Sequence, residues 1–224
     1  IEKRNRAMIA FVTMTGARVD AVASMRLKHV DLAGGSVFQD AKNQVRTKFS
    51  KSFRSYFFPV GEDIHAIFAE WVRFLQTERL WSLDDPIFPA PFMALNASKQ
   101  FEAQGLDRKA WKTTAPIRKV FREAFEAAGL TYFNPHSFRD TLTLLGEQLC
   151  RTPEEFKAWS QNFAHESVMT TFSSYGQVPE RRQAEIIRLL GKNTRESETF
   201  CFSDLADFFT RRQGGGLSQE CSGR

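Results

Sequence analysis

The chain has 224 residues, 42% of them hydrophobic and 22 of them phenylalanine, enough for one well-buried domain with a small appendage. Lys and Arg number 31 against 26 Asp and Glu, a net charge of +5 with a pI near 9.2, which favours a polyanionic partner without specifying one. Cys150, Cys201 and Cys221 form no Cys-x-x-Cys pair and no apolar run approaches a membrane span, so a disulfide framework, a zinc site and a transmembrane segment are not expected.

No signal peptide is visible, and a reducing cytoplasm is the expected location. The chain starts at Ile1 in helix-like sequence, so it reads as part of a longer protein. Residues 3–13 form an apolar helix running into a Thr15-Gly16 turn, and 19–27 a second helix. Residues 29–32 and 36–39 read as a short hairpin around Ala33-Gly34-Gly35, followed by β-rich stretches at 45–49 and 53–60, with Pro59 and Gly61 closing the sheet. Residues 63–79 have helical spacing, with Ile64, Ile67, Phe68, Trp71 and Leu75 on one side. A loop-rich stretch covers 81–115. Pro116 opens a helix that Gly129 stops. Further helices are expected at 137–149, 153–162 and 178–190. A last one is expected at 203–212 before a glycine-rich, disordered end.

The chemistry gathers in two places. Thr15-Gly16-Ala17-Arg18 lies near the start, and His136-Ser137-Phe138-Arg139, His165 and Tyr175 lie toward the end. Guanidinium forks and imidazoles suit a tetrahedral phosphate, because their N–H groups match its oxygens and offset its charge. A tyrosine beside them can be a covalent nucleophile. Each residue also has an ordinary structural reading. Arg18 could be a helix-end cation, His136 a helix cap, Arg139 a partner for Asp140 or Glu147, and Tyr175 a half-buried aromatic with a wet hydroxyl. His29 and His65 read as structural or surface residues, and the Phe and Trp residues as core.

The order of these motifs resembles the catalytic domain of the tyrosine recombinases, the phage-integrase superfamily. Thr15-Gly16-Ala17-Arg18 resembles its first box, and residues 29–60 its lysine-bearing sheet. Pro86-Ile87-Phe88-Pro89 is similar to the short apolar element between its central helices. His136-Ser137-Phe138-Arg139-Asp140-Thr141 matches its His-x-x-Arg-x-Thr box, and Ala164-His165 through Thr170-Thr171 to Tyr175 its last box. The resemblance covers about residues 5–190. Ala164 stands where the family has glycine, and Ala21, with Asp20 beside it, where it has an acid.

The resemblance implies a role for each residue. Arg18 and Arg139 would hold the non-bridging oxygens of the scissile phosphate, and His165 would donate a further hydrogen bond there. His136 would accept or position the phenolic proton. Tyr175 would attack phosphorus to form a 3′-phosphotyrosine and free a 5′-hydroxyl. A lysine would protonate the leaving oxygen. Lys42, Lys48 and Lys51 are all placed for this, and Lys48 is preferred because Thr47-Lys48 resembles the family's Thr-Lys pattern. No metal or other cofactor is implied.

The fold expected is mainly α with a small antiparallel β-sheet (α+β). Residues 1–190 would be the catalytic domain and 191–224 a tail, the family's N-terminal core-binding domain being absent. The function implied is site-specific DNA recombination for integration or excision of a mobile element. The partners implied are double-stranded DNA and other copies of the chain, as a tetramer on DNA, with no membrane. The rivals are an inactive DNA-binding regulator of the same fold and a type IB topoisomerase-like relaxing activity. Arg26, Lys28, Arg54, Lys112, Arg118 and Lys119 are candidate phosphate contacts.

Overall fold

Helix α1 (Glu2–Thr15) is buried on nearly every side from Ala7 onward, with Ala7, Met8, Phe11, Val12 and Met14 out of solvent, the mark of a helix at the centre of its domain. The computed structural model describes residues 1–165 together with 181 and 183–185. The chain divides into two compact units, Ile1–Ser174 and Tyr175–Arg224. The four described residues of the second are helical.

Helix α1 ends where Gly16 turns left-handed (φ 59) and its N–H donates to the Val12 carbonyl. Helix α2 (Val19–Ser24) follows. It stops three residues before the expected end, because Met25 is extended and Arg26 bridges to Pro86. Strands β1 (Val30–Asp31), β2 (Ser36–Gln39) and β3 (Phe53–Tyr56) form one antiparallel sheet in that order, with Val37 opposite Ser55.

The β-rich reading of 45–49 is corrected. β2 pairs directly with β3, so this stretch lies in their connection and has no ladder to join. It ends in a 3₁₀ turn, Lys48–Ser50, with Phe49 left-handed at φ 59. Helix α3 (Glu62–Arg73) continues as a π-helical turn, Phe74–Glu78. The stretch expected to be loop-rich contains a second antiparallel pair, β4 (Pro91–Leu95) and β5 (Phe101–Leu106). One face of it carries the cross-strand pairs Leu95–Phe101 and Met93–Ala103, all exposed, so no burial pattern points to it in the sequence.

Helices α4 (Ala115–Ala127), α5 (Ser137–Leu149) and α6 (Pro153–Asn162) lie where expected. Helix α6 has the strongest start signal. Thr152 accepts from the Glu155 N–H, Glu155 accepts from the Thr152 N–H, and Pro153 occupies the first turn. The expected helices at 178–190 and 203–212, and the tail from 191, lie outside the described residues apart from 181 and 183–185.

The main core is aromatic, with Phe11 against Phe68 and Phe88 at centroid distances of 5.1 and 5.4 Å. Trp71 is buried and donates to the Ile87 carbonyl. A smaller cluster joins Phe58, Leu142 and Phe163, with Trp159 against Phe58 at 4.5 Å. His29 is buried, its Nδ1 accepting from the Arg26 N–H, and His65 Nε2 lies 2.9 Å from the Phe58 carbonyl, so both are structural. Asn162 closes the open edge of β3 like a further strand. Its Oδ1 accepts from the Tyr56 N–H at 2.7 Å and its Nδ2 donates to the Tyr56 carbonyl at 2.9 Å. That pair fixes the end of α6 to the sheet. Among the described residues no helix is long and apolar enough to cross a membrane.

Candidate active site

Arg139 sits in the first turn of α5 and is 6% exposed. A buried guanidinium needs acceptors for its N–H groups, and these come from two distant segments. Nη1 donates to the Gly16 carbonyl at 2.7 Å, and Nη2 to the Phe163 carbonyl at 3.1 Å. The group lies over the Phe163 ring, 4.7 Å from its centroid. Neither Asp140 nor Glu147 takes these bonds. Burial, then the nearby Arg18, lowers the Arg139 pKa to about 9, which leaves it charged at neutral pH.

His165 completes the cluster. Its Nε2 is 3.0 Å from Arg139 Nη2, and its ring stacks on Phe163 at 5.4 Å. A guanidinium can only donate, so Nε2 is the acceptor and Nδ1 carries the ring proton. Burial and the charges of Arg139, Arg18 and His136 push the His165 pKa down to about 4. The imidazole is therefore neutral at pH 7. The approach depends on Ala164, whose φ of 58 turns the chain back after α6, and on Gly16, where a Cβ would come within 2.8 Å of the Phe163 ring.

Arg18 caps the start of α2 with extended backbone, and burial lowers its pKa. It lines a cleft of about 380 Å3 with Asp20, Arg118, Asn134 and His136. His136 is exposed at the start of α5 and its side chain makes no capping bond. The local turn is instead held by Asn134, whose Oδ1 accepts from the His136 N–H at 2.9 Å and whose carbonyl accepts from Ser137 Oγ at 2.8 Å. The imidazole is thus left to the cleft.

The structure therefore brings together Arg18, His136, Arg139 and His165. The lysines lie on the β2–β3 loop. Lys48 is exposed with Nζ 4.9 Å from the Phe49 ring centroid, Lys51 lies 5.9 Å from the same ring, and Lys42 is in the 3₁₀ turn Ala41–Asn43. Tyr175 lies outside the described residues. Of the other candidate phosphate contacts, Lys28 is paired with Asp84 at 2.8 Å, Lys119 with Glu123 at 3.5 Å, and Arg54 donates to Ser36. Arg118 alone of that group lines the cleft. Asn134 was not singled out by its sequence, although Asn-Pro before a helix is a turn signal. Among the described residues no group of three or more His, Cys, Asp or Glu stands together as a metal site.

A model of the phage integrase family matches residues 1–182. Among solved structures, the XerA recombinase superimposes with a TM-score of 0.55 at 18% identity, covering 84% of this chain and 56% of that one. The XerH site-specific recombinase bound to difH substrate, a pre-cleavage complex, gives 0.51 at 18% identity, covering 83% of this chain and 46% of that one. The chain thus spans about half the length of each. No curated protein sequence matches it.

Proposed function

The chain belongs to the phage integrase family, and on that premise we propose that it is the catalytic part of a tyrosine-type site-specific DNA recombinase. It cuts and rejoins DNA through a 3′-phosphotyrosine and serves integration or excision of a mobile element. The observation that carries this reading is the Arg139 cluster. One buried guanidinium joins the turn before Arg18 to the segment bearing His165, with His136 at the same cleft.

The chemistry follows from the groups. Arg18 and Arg139 take the non-bridging oxygens of the scissile phosphate and stabilise the charge that builds on the pentavalent transition state. Neutral His165 adds a hydrogen bond. The Tyr175 hydroxyl attacks phosphorus, His136 accepting or relaying its proton, since a phenol with pKa ~10 is a weak nucleophile at neutral pH. The P–O5′ bond breaks and Lys48 protonates the departing oxygen. The phosphodiester becomes a phosphotyrosine ester, so rejoining needs no external energy source. Double-stranded DNA is the substrate, and copies act together as a tetramer in the cytoplasm.

The experiment is covalent trapping on a nicked suicide duplex bearing the cognate site. The chain should form an adduct that survives EDTA, and Tyr175→Phe should form none while binding DNA as before. An adduct with Tyr175→Phe would overturn the assignment. Sequence-independent plasmid relaxation by the monomer would favour a topoisomerase.

A further inference from the structure

The β2–β3 loop, residues 40–52, holds all three candidate lysines and an unusual amount of backbone strain. Gln44 (φ 73), Phe49 (φ 59) and Ser50 (φ 52) are left-handed without being glycine. Such conformations persist only where the surroundings enforce them, and they cluster at functional sites. The base of the loop is closed by Asp40, which accepts from the Lys42 N–H at 3.0 Å and from Ser52 Oγ at 3.1 Å. Thr47 Oγ1 donates to the Lys51 carbonyl at 2.7 Å, closing the turn that carries Lys48.

Two arginines tether the loop to the rest of the domain. Arg26 donates from Nη2 to Gln44 Oε1 and from Nη1 to the Asp84 carbonyl, both at 2.6 Å. Arg46 reaches in the other direction. Its Nη1 donates to the Lys112 carbonyl at 3.0 Å, its Nη2 to the Trp111 carbonyl at 3.1 Å, and its backbone N–H to Ser24 Oγ at 2.8 Å. It therefore clamps the loop to the end of α2 and to the segment running into α4, the two helices that present Arg18 and Arg118 to the cleft.

We propose that Arg46 is a positioning residue for the leaving-group proton transfer, fixing the loop so that Lys48, two residues on, meets the 5′-oxygen. This rests on the reading of Lys48 as general acid. A planar fork spanning two successive carbonyls restricts the loop in a way that a lysine's single ammonium cannot. Releasing it would spread Lys48 over many positions, and small misplacements of a reacting group are costly in rate. Arg18 and Arg139 stand at helix starts outside the loop, so the loss falls on protonation of O5′ and not on phosphate binding.

The test is single-turnover cleavage of matched suicide duplexes with oxygen or sulfur at the 5′-bridging position, using the full chain. Sulfur leaves as a thiolate and scarcely needs the proton. Arg46→Ala should cleave the oxygen substrate about tenfold or more slowly, cleave the sulfur substrate within about twofold of the parent rate, and bind DNA with unchanged Kd. Arg46→Lys should recover only part of the oxygen rate. Equal slowing on both substrates, or none on either, overturns the inference. Lys48→Ala is measured alongside. If sulfur does not rescue it, the reading of Lys48 fails and the inference with it. If sulfur rescues Lys48→Ala but not Arg46→Ala, the inference alone fails.

Discussion

Arg139 Nη1 lies 2.7 Å from the Gly16 carbonyl, across 123 residues of chain, and the bond is buried. A charge-assisted bond in such a place is both a structural tie and a means of aiming the guanidinium. Its removal leaves the carbonyls of Gly16 and Phe163 without this donor. Arg139→Ala should therefore destabilise the domain by about 1–3 kcal/mol and lower cleavage by ~10²–10³. Urea unfolding and single-turnover cleavage measure the two effects. Arg139→Lys should lose most of the activity as well, because an ammonium cannot span both carbonyls and still meet a phosphate. Full activity in Arg139→Lys would refute the bidentate role.

His165 should make stability depend on pH in a defined window. Its pKa falls from 6.5 to about 4 on folding, so the folded state favours the neutral ring. Its contribution is fully present above pH 6.5 and is lost as pH falls toward 4. For a ring only about half buried, screening reduces the effect to about 1–2 kcal/mol. The unfolding free energy of the parent should fall more steeply between pH 6.5 and 4 than that of His165→Gln. Parallel profiles would show that the ring is not held neutral.

Two left-handed positions of nearly equal φ should respond in opposite directions. Ala164 has φ 58 and carries a Cβ that the conformation disfavours. Ala164→Gly should stabilise the domain by up to about 1 kcal/mol, since relief of strain exceeds the added backbone entropy. Gly16 has φ 59, and a Cβ there would meet the Phe163 ring at 2.8 Å. Gly16→Ala should destabilise by about 1–3 kcal/mol and weaken cleavage by shifting Phe163 and His165. Thermal melts of both variants give the signs directly.

Asn162 replaces a strand partner for Tyr56, accepting from its N–H and donating to its carbonyl. Asn162→Ala should cost about 1–3 kcal/mol at this edge and speed amide exchange of Tyr56. Asn162→Asp should behave similarly, because a carboxylate can accept from the N–H but cannot donate to the carbonyl. Unchanged exchange at Tyr56 in both variants would show that the contact does not hold the edge.

DNA affinity should fall steeply with salt as phosphate contacts release counterions. Arg118→Ala should reduce that salt slope by about 0.9, the share of one phosphate. Lys119→Ala should change it less, because Lys119 is engaged with Glu123 at 3.5 Å. Fluorescence anisotropy across a salt series distinguishes them. Identical slopes for both variants would show that Arg118 makes no phosphate contact of its own.

Much of this protein was determined by its sequence alone. Helices α4 and α6 carry local signals, Pro116 at the start and Gly129 just past the end of the first and the Thr152–Glu155 box at the start of the second, so local chemistry places those ends within a residue or so. The order of the Arg18, His136–Arg139 and His165 motifs likewise points to the family without any coordinates. The tertiary structure decided what depends on partners distant in the chain. Residues 45–49 look like a strand by composition, but β3 already occupies the pairing edge of β2. The β4–β5 pair escapes notice because neither burial nor core packing marks its apolar face. Arg139 could have paired locally with Asp140 or Glu147. Its burial against carbonyls at 16 and 163 was fixed only when α5 packed between those segments, because a buried cation takes whichever acceptors the fold brings within reach.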